Sequence, residues 1–235
     1  MRKILILLIV TIYMLTNSQV YAASVCKIID DLRSDNSDAV ERACKTLKID
    51  CGALGPTKVQ VLQPCCTRSG HSFFVIALSF EGPLNGYIVY VNSKGDILDK
   101  RSVGHIRSLS LKSFKTIDND ALVIDAIEGS GTGMESDKFY IFSMSNRGLT
   151  ELWKGVSYEK SFLSEDWNHE VKGTLNFEDL DNDNIDEIIH RTKHIQYSVD
   201  PKTQKLIPVK TEKDAKAYKL STGKFVFFKD IPEED

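Results

Sequence analysis

Between Phe177 and His190 the chain reads FEDLDNDNIDEIIH. Carboxylates stand at Asp179, Asp181, Asp183, Asp186 and Glu187, and the run then turns apolar. Alternate spacing on a tightly curled loop aims the first three at one point, where like charges repel unless something positive neutralises them. A hard divalent cation would do this. Asp179, Asp181 and Asp183 would supply carboxylate oxygens at loop positions 1, 3 and 5, Ile185 its backbone carbonyl at position 7, and Glu187 would close the shell at position 9, directly or through water. Calcium, with its flexible shell of about six to eight oxygens, suits such a set better than magnesium. Position 6 demands a positive φ, and Asn184 stands there, the residue most tolerant of that conformation after glycine. The spacing therefore predicts a structural calcium site. The competing reading is an acidic turn that water alone solvates. An EF-hand is excluded, because position 12 is His190 rather than a bidentate Glu, and EIIHRTK reads as a strand rather than an exiting helix.

Other candidate chemistry is weaker. His71, His105, His169, His190 and His194 are scattered, and no HExxH occurs. GSGTG within residues 128–133 lacks the Gly-Lys-Ser/Thr ending of a phosphate loop and leads into a strand, so it reads as a turn. No GxSxG surrounds any serine. The acid pairs Glu165/Asp166 and Asp125/Glu128 have nothing in their spacing that selects them over surface acids. No catalytic residue and no further cofactor-binding residue emerges. Trp153, Trp167, Tyr140, Tyr158 and Phe162 could form a glycan platform, but such residues more commonly pack a core.

The elements that must position the loop follow from the rest of the chain. It has 235 residues, 42% hydrophobic and 27% charged, an ordinary globular composition. Residues 1–22 read as a secretory signal: Arg2 and Lys3, an apolar run from Ile4 to Leu15, then small residues at Val20 and Ala22. The apolar run is short for a bilayer core of about 30 Å, and no later stretch would span one. Cleavage removes Arg2 and Lys3, leaving 28 basic against 33 acidic residues and a net charge of −5. That balance argues against nucleic acid and anionic membrane as partners. All five cysteines, Cys26, Cys44, Cys51, Cys65 and Cys66, lie in the first third of the chain. An exported chain meets an oxidising compartment, so two disulfides and one left-over thiol are expected, with the vicinal Cys65 and Cys66 reaching different partners.

From 23 to 57 the apolar spacing is helical: Val25, Ile28, Ile29 and Leu32, then Ala39, Val40, Ala43, Cys44 and Leu47. SDNSD between them supplies turn and N-cap chemistry. This predicts a short helical hairpin stapled by a disulfide, with Cys44 on the buried face. From 58 to 235 short runs rich in Val, Ile, Phe and Tyr alternate with turns such as EGSGTG, SNRG and STGK, which predicts an all-β domain. The runs also repeat. Ile76-Ala77 aligns with Ile124-Asp125, and Tyr87–Tyr90 with Phe139–Phe142, at offsets of 48 and 52 residues; a third copy starts at Asp186. A period of about 40–50 residues with several strands per unit is a propeller-blade rhythm. The fold class expected is mainly β: blade-like antiparallel repeats, as a partial or small β-propeller or alternatively a β-sandwich, behind a disulfide-stapled helical segment.

DLDNDNIDEII resembles the DxDxDGxxD calcium loop of FG-GAP/VCBS-type repeats, the integrin-alpha-like β-propeller blades of many exported bacterial proteins. The matched positions are Asp179, Asp181, Asp183, Ile185 and Glu187. Asn182 and Asn184 stand in place of the usual glycines, and Glu187 in place of the usual final Asp. The resemblance implies a calcium loop between two strands of a blade. The function expected is an exported binding or interaction module, periplasmic or secreted, taking a protein or glycan ligand, with calcium in an architectural role. The alternatives are a secreted envelope- or polysaccharide-acting hydrolase and a small inhibitor or immunity-type protein.

Overall fold

A computed structural model describes residues 24–51, 55–63, 73–82, 86–114, 117, 120–162 and 168–232. The signal segment, Cys65, Cys66, His71, Glu165, Asp166 and Trp167 lie outside the described residues. The chain forms two compact units, Met1–Glu81 with Tyr87–Arg101, and Gly82–Gly86 with Ser102–Asp235.

The first unit begins with helix α1 (24–32) and helix α2 (Ser37–Thr46). The SDNSD turn starts α2 as expected. Asn36 is the N-cap, its Oδ1 accepting from the backbone N–H of Asp38 at 2.9 Å and Ala39 at 3.3 Å, which satisfies donors the first turn leaves without helical partners. Asp38 in the first turn and Lys45 in the last complement the helix dipole. Cys44 is buried and bridged to Cys51; Cys26 is exposed and, among the described residues, free of any disulfide. Strands β1 (Lys58–Leu62), β2 (Phe73–Ser79), β3 (Gly86–Asn92) and β4 (Ile97–Val103) pair in that order. Alternate residues of β2 and β3 (Ile76, Leu78, Val89 and Val91) pack on Val25, Ile28, Leu32, Ala43 and Leu47 of the helical segment. The helical stripe and the sheet face thus bury each other, the arrangement each needs to leave water.

The second unit is a single antiparallel meander of eight strands: β5 (His105–Lys112), β6 (Ala121–Gly131), β7 (Met134–Ser145), β8 (Gly148–Phe162), β9 (Asn168–Glu178), β10 (Glu187–Val199), β11 (Leu206–Ser221) and β12 (Lys224–Asp230). Its edges are β5 and β12, and among the described residues no closed barrel forms. The turn chemistry read from the sequence recurs here. Thr132-Gly133 connects β6 to β7, with Gly131 opposite Met134. Thr222 and Gly223, both at positive φ (49° and 82°), connect β11 to β12, the twist that two-residue hairpins favour. The glycine-rich EGSGTG is therefore a hairpin end. The aligned repeat residues also occupy equivalent places, on β2 and β3 in one sheet and on β6 and β7 in the other, adjacent strands in both.

The mainly-β, antiparallel fold with a disulfide-stapled helical segment is what the structure has. In the long meander, residues from β7 and β8 meet residues from β9 to β12 in one core: Ile141, Trp153, Ile188, Phe225, with Leu175, Phe177 and Tyr218 packed against them. Strands far apart in hydrogen-bonding order reach one another only if the sheet curls. Trp153 of β8 lies edge-on to His190 of β10 at 5.2 Å and to Tyr218 of β11 at 5.5 Å. Phe114, just past β5, lies edge-on to Phe177 with ring centres 5.5 Å apart and tilted against Phe225 at 5.4 Å. Gly173 permits a close approach: a Cβ there would sit 2.1 Å from the Val156 carbonyl oxygen and 3.1 Å from His190 Nε2. Trp153 belongs to this core rather than to an exposed glycan platform.

Candidate metal centre

The acidic loop joins β9 to β10. Glu178 and Glu187 face each other as the last pair of the ladder, and residues 179–186 make the turn between them. Short side chains fold this segment onto itself. Asp179 Oδ2 accepts from the Asn184 N–H at 2.8 Å, Asp181 Oδ1 from the Asp183 N–H at 3.3 Å, and Asp183 Oδ1 from the Ile185 N–H at 2.8 Å. These bonds replace ladder bonds the turn has lost. Asn182 and Asn184 take positive φ, 60° and 68°. The residue expected to tolerate that conformation at position 6 adopts it.

Asp179, Asp181 and Glu187 each present a carboxylate oxygen, all within 4.8 Å of one another. Asp179 and Asp181 are exposed, whereas Glu187 is wholly buried. Glu187 Oε2 accepts from the Leu180 N–H at 2.7 Å. Among the described residues its Oε1 is buried with no hydrogen-bond partner. Burial pushes the Glu187 carboxyl above the usual carboxylate range; the Leu180 N–H opposes this, and the neighbouring Asp181 and Asp183 charges reinforce it. A buried carboxylate oxygen without a donor is uncommon and energetically unfavourable. This group can hold a metal ion.

The remaining predicted ligands are placed differently. Asp183 turns its Oδ2 to the Lys219 ammonium of β11 at 2.7 Å, and the same ammonium touches Asp181 Oδ2. The hydrogen bond to Lys219 holds Asp183 below its ordinary pKa, and the two acids push Lys219 up. Ile185 is tied into the loop through its N–H. Asp186 points away, to Lys112 at 2.7 Å. Lys219 carried no signal in the sequence: it lies 38 residues from Asp181 in a strand rich in lysines.

Among the described residues no histidine joins this cluster. His190 faces the core and donates its Nε2–H to the Val156 carbonyl at 2.7 Å, and burial lowers its pKa. His194 bonds Thr192 Oγ1 at 3.1 Å. The acid pair Asp125/Glu128 is separated by its partners: Asp125 accepts from Ser157 at 2.6 Å, and Glu128 meets Lys154 at 2.6 Å. A second perturbed acid escaped the sequence reading. Asp137 on β7 is fully buried, and Arg107 Nη2 lies 2.8 Å from its Oδ2 but off the line of a hydrogen bond. Burial outweighs Arg107 and raises its pKa to about 6.

Among the described residues no helix is long and apolar enough to cross a membrane. No protein-family model, curated protein or solved structure matches the chain.

Proposed function

We propose that the β9–β10 loop is a structural calcium site in an exported binding module built from FG-GAP/VCBS-like repeats. The observation that carries the cation reading is Glu187: a buried carboxylate whose unpartnered Oε1 stands with Asp179 and Asp181 in one group of oxygens. In this reading Glu187 anchors the ion from the protein side while Asp179 and Asp181 close it from solvent. Asp183 and the Ile185 carbonyl complete the shell as the 1-3-5-7 pattern provides. The ion is architectural, holding a turn that repulsion among its carboxylates would splay. Calcium rather than magnesium follows from the all-oxygen, flexible donor set. The Cys44–Cys51 bridge supports export to the periplasm or beyond, as does the signal-like segment at residues 1–22. The partner class is a protein or glycan.

The test is thermal. Millimolar calcium raises the unfolding midpoint of the wild-type chain, and Asp181→Ala combined with Asp183→Ala abolishes the rise. A wild-type melt indifferent to both calcium and EDTA refutes the site.

A further inference from the structure

We infer that Lys219 is a tethered competitor for the cation, so that binding exchanges its ammonium for the ion; this rests on the calcium reading of the loop. Lys219 takes Asp181 Oδ2 and Asp183 Oδ2, acids that occupy positions 3 and 5 of the loop. Asp181 is also a member of the oxygen group formed with Asp179 and Glu187. Ammonium and cation therefore draw on the same carboxylate. They also place positive charge within a few ångströms of each other, so each weakens the other's hold.

The competitor is fixed in place. Lys219 projects from β11, between the Tyr218 that pairs with Ile188 of β10 and the Leu220 that pairs with Phe225 of β12. Strand pairing on both sides keeps its ammonium beside the loop without the entropy loss a free counter-ion would suffer, the advantage any tethered ligand has. Its Nζ stands 5.8 Å from the ring centre of Phe228 on the edge strand β12. That ring offers a weak cation–π resting place once the carboxylates are taken. Without the ion, Lys219 offsets part of the loop's negative charge and holds Asp183 outward. With the ion, Asp183 is free to turn in. Glu187 takes no part in the exchange, because Lys219 does not bond it and Oε1 remains without a partner in the Lys219-bridged state. The device makes the site respond to high calcium and ignore low calcium.

The experiment is calorimetric titration of the full chain with calcium chloride. Lys219→Gln and Lys219→Met bind calcium about three- to tenfold tighter than wild type, the size expected for removing two exposed ion pairs. Lys219→Arg, which keeps the charge, stays near wild type, and Lys94→Gln in the other unit is the control for general charge removal. Amine acetylation read by mass spectrometry gives an independent measure: added calcium raises labelling of Lys219 in the wild-type chain and leaves Lys224 and Lys229 unchanged. Equal or weaker binding by both neutral variants, with Lys219 labelling insensitive to calcium, overturns the exchange while leaving the site standing. Absence of calcium binding in wild type and variants alike overturns the calcium reading, and the exchange with it.

Discussion

Glu187→Gln separates the cation reading from every account in which the loop is merely acidic. The substitution keeps the shape and the acceptor for the Leu180 N–H, and replaces the unpartnered charged oxygen with a neutral group. A buried polar atom left unsatisfied costs about 1–3 kcal/mol, more when charged. Without calcium, at pH 7.5, the variant is therefore more stable than wild type by about that amount. With calcium the gap narrows, because the wild type alone gains the ion's stabilisation. For a dissociation constant of about 10⁻⁴ to 10⁻³ M, the range of extracellular calcium modules, calcium at about 10 mM stabilises the wild type by about 1.4–2.7 kcal/mol. At about 2–4 °C per kcal/mol for a chain of this size, the midpoint rises by about 3–10 °C. The variant, deprived of the ion's buried anchor, shows little or none of that rise. Circular-dichroism melts of both chains in calcium, magnesium and EDTA measure all the terms. If Glu187→Gln is less stable than wild type in EDTA, the unpartnered oxygen is not a liability. If it keeps the full calcium shift, Glu187 is not a ligand.

The other acid with no good donor makes a pH prediction. Burial raises Asp137 to about 6. Its stabilising contribution is therefore complete below the ordinary carboxylate value and is lost as pH rises through about 6; Glu187 shifts in the same sense. Through Asp137 the cation-free protein accordingly loses stability between about pH 4 and 6, and Asp137→Asn removes much of that slope, gaining roughly 1–3 kcal/mol at pH 7.5. Urea unfolding at several pH values checks this, and an unchanged slope in the variant refutes it. Replacing Cys44 and Cys51 together by Ser opens a bridge between residues 7 apart. Chain entropy for so short a loop assigns it about 2.5 kcal/mol. The midpoint of the first unit should drop by about 10–20 °C while the calcium-induced shift of the second unit persists; both are read in one calorimetric scan.

The local parts of this protein were legible because short-range chemistry decides them. Asn36 caps α2 through its own neighbours, Thr222-Gly223 turns the last hairpin through its own φ angles, and the Asp179–Asp183 spacing curls the β9–β10 loop through side-chain bonds spanning two to five residues. Alternation of apolar and polar residues announced strands, and helical spacing announced the face that buries Cys44. Even the repeat rhythm lands on equivalent adjacent strands in the two sheets.

The sequence by itself determined the element types, the turns, the Cys44-bearing face and the acids that could converge. Which of those acids converge was decided by tertiary structure. Glu187 opens a strand that the curl of the meander buries, and only there does its carboxylate lose water and acquire an unmet oxygen. Asp183 is drawn outward by Lys219, brought beside it by the pairing of β10 with β11. Asp137 is buried on β7, beside an arginine from β5. Desolvation and long-range pairing depend on which strands end up facing each other, and nothing within a dozen residues of any of these acids encodes that.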